Sequence, residues 1–300
     1  MPKNNISNIK MNIGNKKFPL YAVIGANSYI GSAFFKEYKA NILVSTVNGS
    51  KKKNFVKFNV LKRNIDTILK NIDISHLIFF AGETNINSCF KNYNLTNKLN
   101  FSIPKKIILY CVKRNIIPIM FSSDSVFDGT KSYYKEFSKK TPLLKYGMQK
   151  SKLEDFVHKN KLPALILRLS KVYGLKKSKK DFIYNLQNEI KKNFLVFAAN
   201  DHFSSPIFIK DVVKLIHICA KKKFTGIYNI SGKNKISRFQ IANKIKHILK
   251  SDTIIKPCSI NDFFSYERKP RDISLSNKKI IAATRYKIKS IDFNLKKIVL

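Results

Sequence analysis

Tyr146 and Lys150 stand four residues apart in a segment, Tyr146 to Lys159, that has helical character. A helix there places phenol and ammonium on one face, one above the other. A free phenol titrates near ~10, and a neighbouring ammonium that stabilises phenolate makes it a usable proton donor and acceptor near neutral pH. The pair alone says little, because a chain with 13 Tyr and many more Lys produces such spacings by chance.

Two further signals give the pair weight. Ser122-Ser-Asp-Ser-Val-Phe-Asp-Gly129 follows the fifth apolar run directly, where a hydroxyl would face a crevice at the strand ends. Gly25-Ala-Asn-Ser-Tyr-Ile-Gly31 sits where a first strand meets a first helix, the place where a tight turn aims backbone amides at a pyrophosphate. Its spacing is Gly-x-x-Ser-x-x-Gly, with Ser28 where a middle glycine would allow the nearest backbone approach. About twenty residues on, the second run ends near Ser45-Thr46 without the Asp or Glu that binds a free ribose 2′-hydroxyl. With Lys51 to Lys53 close by, a 2′-phosphate is accommodated more easily than repelled, so NADPH is expected over NADH, which is still possible.

These residues need a scaffold, and the apolar rhythm supplies one. Short runs at Phe18 to Gly25, Ile42 to Val47, Phe55 to Val60, His76 to Ala81, Ile116 to Ser122 and Ala164 to Leu169 alternate with helical stretches such as Tyr29 to Lys39 and Lys91 to Arg114. Buried strands alternating with helices predict a parallel sheet covered on both faces, a doubly wound α/β domain. After Gly174 the rhythm changes. Helices around Asp181 to Lys192, Asp211 to Ala220 and Ser237 to Leu249, with strands near Phe194 to Phe197 and Gly226 to Ile230, suggest a smaller domain over the sheet's C-terminal edge. The expected division is a flexible extension over 1–17, a dinucleotide-binding Rossmann domain over 18–170 with a returning segment about 207–230, and a mainly substrate-binding domain over 171–300.

Composition narrows the function classes. Of 300 residues 58 are Lys or Arg against 18 Asp or Glu, a formal charge of +40. Only 7 are Arg, whose planar fork suits phosphate, while 30 Asn accompany the abundant Lys. The basic residues are spread along the chain, so they read as solvated faces with a diffuse anion-attracting field. Nucleic-acid binding would need clustered Arg and exposed aromatics or a recognised module. The four Cys and five His are scattered without ligand spacing, so neither a metal nor a disulfide framework is expected. No apolar run approaches a membrane span and the N-terminus lacks a signal-peptide core, which makes the cytoplasm the default location.

A glycine turn, a serine after the fifth strand and a Tyr-x-x-x-Lys helix are the parts of the short-chain dehydrogenase/reductase arrangement, in that superfamily's order. From Phe18 to about Ile280 the sequence resembles, more narrowly, the dTDP-4-dehydrorhamnose reductase family. The resemblance rests on Ser122 to Gly129, on Pro142 with Tyr146-Gly-x-x-Lys150, and on Arg168 to Gly174. It rests also on Asp201 to Pro206 with Asp211, and on Lys269-Pro270-Arg271 with Ser274, Leu275 and Lys278.

The resemblance implies that Gly25, Asn27, Ser28, Tyr29, Ile30 and Gly31 hold the pyrophosphate, with Thr46 at the end of the second strand on the cofactor side. Asn59 and Val60 lie near the adenine, Asn59 departing from the usual Asp. Ala81, Gly82 and Thr84 line the nicotinamide side, and Asn97 supports the active-site helix. Ser123, Tyr146 and Lys150 are implied to be catalytic, with Lys150 binding the nicotinamide ribose and lowering the Tyr146 pKa. Ser123, Asp124, Lys171 and Arg271 are assigned to the substrate, Arg271 to its diphosphate. Lys171 stands where many reductases of the family carry Trp.

The implied reaction is hydride transfer from NAD(P)H to the C4 ketone of a nucleotide-linked 4-keto-6-deoxyhexose, on the way to polysaccharide precursors. A homodimer is possible, with Mg²⁺ as an open question. The alternatives are an epimerase or dehydratase of the same superfamily and a cofactor-binding regulatory subunit. A dehydratase usually follows its Ser/Thr with Asp-Glu, whereas Asp124 is followed by Ser125. An epimerase would need a further acid or base such as Cys89 or His202. A regulatory subunit would have a broken triad, and this one is whole.

Overall fold

A computed structural model describes residues 18–48, 55–174, 178 and 180–299. The N-terminal extension and Lys51 to Lys53 lie outside the described residues.

The strands are β1 (Tyr21–Ile24), β2 (Ile42–Val47), β3 (Val56–Lys57), β4 (His76–Phe79), β5 (Ile117–Ser123), β6 (Leu165–Leu169), β7 (Val172–Tyr173), β8 (Leu195–Ala199), β9 (Phe203–Ser204), β10 (Ile207–Phe208), β11 (Gly226–Ile230), β12 (Ile236–Ser237) and β13 (Ile254–Cys258). The helices are α1 (Tyr29–Tyr38), α2 (Asp66–Leu69), α3 (Ile86–Lys91), α4 (Tyr93–Asn97), α5 (Ile103–Lys113), α6 (Lys145–Lys159), α7 (Phe182–Lys192), α8 (Ile209–Lys221), α9 (Arg238–Leu249), α10 (Lys278–Thr284) and α11 (Ile291–Val299).

Seven strands pair in the order β11-β6-β5-β4-β1-β2-β3, every neighbour parallel. Successive side chains of a strand point to opposite faces, and here both faces are dry. Ala22, Ile24, Leu77 and Phe79 join one core with Ile107, Ile108 and Cys111 of α5 and Leu153 and Val157 of α6. Tyr21, Val23 and Ile78 join the other with Phe34 of α1 and Val212, Leu215 and Ile216 of α8. Each fully buried aliphatic side chain matters: Ile78→Ala would cost about 2–5 kcal/mol through lost transfer energy plus the cavity left behind. This is the doubly wound sheet that the apolar rhythm predicts.

One predicted strand differs. The run Phe55 to Val60 yields only the two exposed residues of β3, which pair with Thr46 and Val47 at the sheet's edge. Phe58 is buried just past it, its amide still donating to the Val47 carbonyl at 3.0 Å, so part of the run's apolar character belongs to the residue that follows the strand.

A second core gathers Ile183, Leu186 and Ile190 of α7, Val196 and Ala198 of β8, Ile241 and Ile245 of α9, and Ile291 and Leu295 of α11. α10 does not belong to it, because Ile280 packs with the sheet-side core and α10 runs against β11. The strand order reverses between β1 and β4, and a crevice opens outside the carboxyl ends of the strands at such a point. No helix of the described residues is long and apolar enough to cross a membrane.

Candidate functional site

The turn after β1 is built for close approach. Gly25 has φ +79°, and a Cβ there would lie 2.9 Å from the Ala81 amide nitrogen, so this turn and the end of β4 touch across the crevice. Ser28 caps α1, its hydroxyl accepting from the Gly31 amide at 3.1 Å. A Cβ on Gly31 would meet the Gly25 carbonyl oxygen at 2.5 Å. The backbone is thus wound tightly at a helix N-terminus, the kind of place that suits an anion such as a pyrophosphate. Asn27 is exposed, and Ile30 packs against the sheet-side core. Thr46 is buried, its carbonyl accepting from the Ala26 amide at 2.9 Å and its hydroxyl from the Gly25 amide at 3.4 Å. Ser45, Thr46 and Val47 bring no carboxylate to this end of β2. Asn59 and Val60 lie in the turn after β3, with the Asn59 side chain accepting from the Leu61 amide at 2.9 Å.

The residues expected to handle the proton converge. Ser123 ends β5, and Tyr146 and Lys150 lie one turn apart at the start of α6; they are 7%, 9% and 7% exposed, so all three are shielded from bulk water. Lys150 Nζ is 5.7 Å from the Tyr146 ring centroid, and the Ser123 hydroxyl, which donates to Asp124 Oδ1 at 2.8 Å, lies near enough to the phenol to act on its pKa. Burial, reinforced by the Asp124 carboxylate, holds the Tyr146 pKa well above the usual phenol range, against a smaller downward pull from Ser123. The expected lowering by Lys150 is therefore not met: desolvation wins, and the phenol stays protonated. Burial also pushes Lys150 down to about 8, while Cys89 and Glu154 hold it up.

Asn100 supports the active-site helix where Asn97 was expected to do so. Its amide donates to Gln149 Oε1 of α6 at 2.8 Å and to the Glu83 carbonyl at 2.8 Å, while its Oδ1 accepts from the Glu83 amide at 3.1 Å. The Asn97 Oδ1 atom is buried without a hydrogen-bond partner. A π-helical turn over Lys98–Ser102 separates α4 from α5 and rotates the later residues relative to a regular helix. Gly82 lies beside Asn100 and Lys150: a Cβ there would be 2.9 Å from Asn100 Oδ1 and 3.9 Å from Lys150 Nζ. Ala81 is half-buried and Thr84 exposed, the Thr84 amide bonding Glu83 Oε1 at 2.8 Å.

Of the residues expected at the substrate, Asp124 is buried, receives the Ser123 hydroxyl at 2.8 Å, and is pushed up to about 6 by desolvation against its serine partners and Lys171. Lys171 is exposed, with its ammonium 5.1 Å from the Phe182 ring centroid. Desolvation and then Arg238 lower its pKa, Asp124 opposing. Arg271 is exposed, and its charge helps hold Asp201 below the usual carboxylate range. His202 Nδ1 donates to the Pro270 carbonyl at 2.7 Å, and burial lowers its pKa against that bond.

Glu267 escaped the sequence reading. Its Oε1 accepts the Lys145 amide at 2.9 Å, capping the helix that carries Tyr146 where the N-cap residue Leu144 offers no side-chain acceptor. Nothing local signals this, since the two positions are far apart in the chain.

Comparison with known proteins places the chain in a family. The model of the family described as RmlD substrate binding domain matches residues 21–299. A probable low-salt glycan biosynthesis reductase of Haloferax volcanii is 25% identical over 266 residues, covering 84% of this chain and 88% of that protein. Methionine adenosyltransferase 2 subunit beta of Bos taurus is 25% identical over 244 residues, 78% of this chain and 72% of that one. Among solved structures, a dTDP-4-dehydrorhamnose reductase from Yersinia enterocolitica superposes with a TM-score of 0.83 at 20% identity, covering 94% and 98% of the two chains. One from Bacillus anthracis in complex with NADP has a TM-score of 0.79 at 18% identity, with coverage of 94% and 98%.

Proposed function

The chain belongs to the RmlD substrate binding domain family, and from that premise we propose that it is an NAD(P)H-dependent reductase of the C4 ketone of a nucleotide-linked 4-keto-6-deoxyhexose. The observation that carries this reading is the gathering of Ser123, a protonated Tyr146 and Lys150, shielded from water, at the crevice where Gly25 meets Ala81.

The glycine turn, with no room for side chains and with amides at the start of α1, fits the pyrophosphate of a dinucleotide. The reduced nicotinamide, when bound, supplies the hydride. The chain's own residues handle the oxygen and its proton. Ser123 hydrogen-bonds the ketone oxygen as negative charge develops, a preorganised donor in a dry site. Tyr146 then protonates the alkoxide, and the raised pKa that keeps the phenol protonated is the state reduction requires. Lys150, charged below about 8, stabilises the phenolate left behind and offers donors to the cofactor ribose. Lys171 and Asp124 face the sugar, and Arg271 the diphosphate. The carboxyl ends of β1 to β6 hold the cofactor, while residues around the second core take the nucleotide sugar. Without a carboxylate at the end of β2, NADPH is favoured over NADH. A homodimer, with or without Mg²⁺, belongs to the same reading and is checked by light scattering in the presence and absence of the ion.

The test mixes purified protein with NADPH or NADH and a panel of dTDP-, UDP- and GDP-4-keto-6-deoxysugars, following loss of reduced-nicotinamide absorbance, with Tyr146→Phe as control. Turnover by the parent but not by the Phe variant supports the assignment. The similarity to a methionine adenosyltransferase subunit motivates the second reading, a cofactor-binding partner subunit. Confirmed cofactor binding with no turnover of any sugar would favour it.

A further inference from the structure

Asp181 joins three parts of the molecule. Its carboxylate is buried at the start of α7, where Oδ1 accepts from the Ile183 amide at 2.8 Å and the Tyr184 amide at 3.2 Å. The other oxygen, Oδ2, accepts from the Tyr29 hydroxyl at 2.6 Å and from the Gly174 amide at 2.5 Å. Tyr29 belongs to the turn that faces the pyrophosphate. Gly174 closes the stretch that begins with Lys171 on the sugar side.

Neither end of this bridge has slack. Tyr29 is the first residue of α1, fixed by the Ser28 cap and by the tight packing of Gly31 on Gly25. Gly174 has φ +109°, and a Cβ there would lie 2.1 Å from the Phe208 ring, so its backbone is wedged against that side chain. A buried carboxylate bound to a phenol and three amides forms short, charge-assisted hydrogen bonds, and moving one donor disturbs the others.

We infer that Asp181 is a positioning residue that couples the two ligand sites, so that a cofactor held at the Gly25–Gly31 turn raises the affinity for the nucleotide sugar. The inference rests on the nucleotide-sugar reading above. A ligand on the turn amides draws the first residues of α1 toward it, and because the bridge has no slack the Tyr29 phenol moves with them. The phenol carries Oδ2, and Oδ2 carries the Gly174 amide and the stretch back to Lys171. Once one ligand has set this joint, the second binds without the cost of shifting it, and thermodynamic linkage makes the effect reciprocal. If Asp181 served only to start α7, its Oδ1 contacts would suffice.

The experiment measures the NADPH dissociation constant of the full chain by nicotinamide fluorescence, alone and with saturating dTDP or UDP. The expected result is binding about five- to tenfold tighter when the nucleotide is present. Tyr29→Phe keeps the ring and removes the donor, and its ratio should fall to within about twofold of unity with little change in Tm. Asp181→Ser keeps a capping oxygen for α7 but cannot span to Tyr29, and it should lose the ratio in the same way. An unchanged ratio in folded Tyr29→Phe overturns the inference, as does a parent chain that binds both ligands independently. If NADPH binds and neither nucleotide does, the nucleotide-sugar reading itself fails and the coupling falls with it.

Discussion

Glu154 grips Arg168 with both carboxylate oxygens: Arg168 Nε reaches Oε1 at 2.9 Å and Nη2 reaches Oε2 at 2.7 Å. The pair ties α6, one turn beyond Lys150, to β6, which lies between β5 and β11 in the sheet. Both residues are essentially unexposed, and Ser122 and Lys140 complete the shell of Glu154 at 2.6 and 3.2 Å. Position along the helix gives the pair its functional weight, because it fixes the roll of the face that presents Tyr146 and Lys150. Removing Arg168 leaves the buried Glu154 carboxylate with only Ser122 and the longer contact to Lys140. Arg168→Met should therefore lower stability by about 3–5 kcal/mol, read from urea unfolding as a shifted midpoint with unchanged slope. Arg168→Met with Glu154→Leu should recover much of that loss, since an apolar pair leaves no buried charge.

Lys150 sets an alkaline limit on activity. Its pKa, lowered to about 8 by burial, means that the ammonium is present below that pH and lost above it. The pH profile of kcat/KM should therefore fall above about 8, and Lys150→Met should lose on the order of 10²–10⁴-fold in activity together with that limb. A profile flat to pH 10 would remove Lys150 from proton handling.

Asp124 makes the opposite demand on stability. Its folded pKa of about 6 lies above its ordinary value of 3.8, because burial disfavours the charge. The folded state thus holds this proton more tightly than the unfolded state. The contribution to stability is fully present below the ordinary value and is lost as pH rises through about 6. Asp124→Asn, which cannot ionise, should be more stable than the parent at pH 8 by about 1–3 kcal/mol and should lose this advantage at pH 4. Thermal melts of both proteins at the two pH values measure the difference.

Asn100 and Asn97 show where sequence reading reaches its limit. The parallel sheet, the glycine turn and the Ser, Tyr and Lys constellation are legible because each depends on local chemistry: apolar runs, a tight turn, a four-residue spacing. The support of α6 depends on which asparagine faces it, and the π-helical turn over Lys98–Ser102 changes that face in a way no regular periodicity reveals. Glu267 and Asp181 act on elements distant in the chain, so only the fold brings them to their partners. The run Phe55 to Val60 overstates β3 because Phe58, buried just past the strand, carries the same apolar signal that a strand residue would. Asn100→Ala should cost about 1–3 kcal/mol of stability through the unpaired Gln149 and Glu83 groups and should slow turnover. Asn97→Ala, losing an oxygen that has no partner, should do far less. Parallel melts and initial rates of the two variants compare them directly.

Cys89 offers a decision between reduction and epimerisation. It is buried beside the site, its sulfur 3.7 Å from the Glu83 carbonyl and 3.8 Å from the Asn100 amide. Desolvation, aided by Glu83, pushes its thiol up to about 11. Only a small fraction is thiolate near neutral pH, and a thiolate is what a cysteine base would need. Cys89→Ala should therefore retain reductase activity within about threefold and remain folded, its cost being a small cavity of about 1 kcal/mol. The thiol should also resist a thiol-specific reagent at pH 7 until denaturant is added. An abrupt loss of activity in Cys89→Ala with an unchanged melting curve, or incorporation of solvent deuterium at the carbon next to the ketone by the parent alone, would instead place this thiol in the acid/base chemistry.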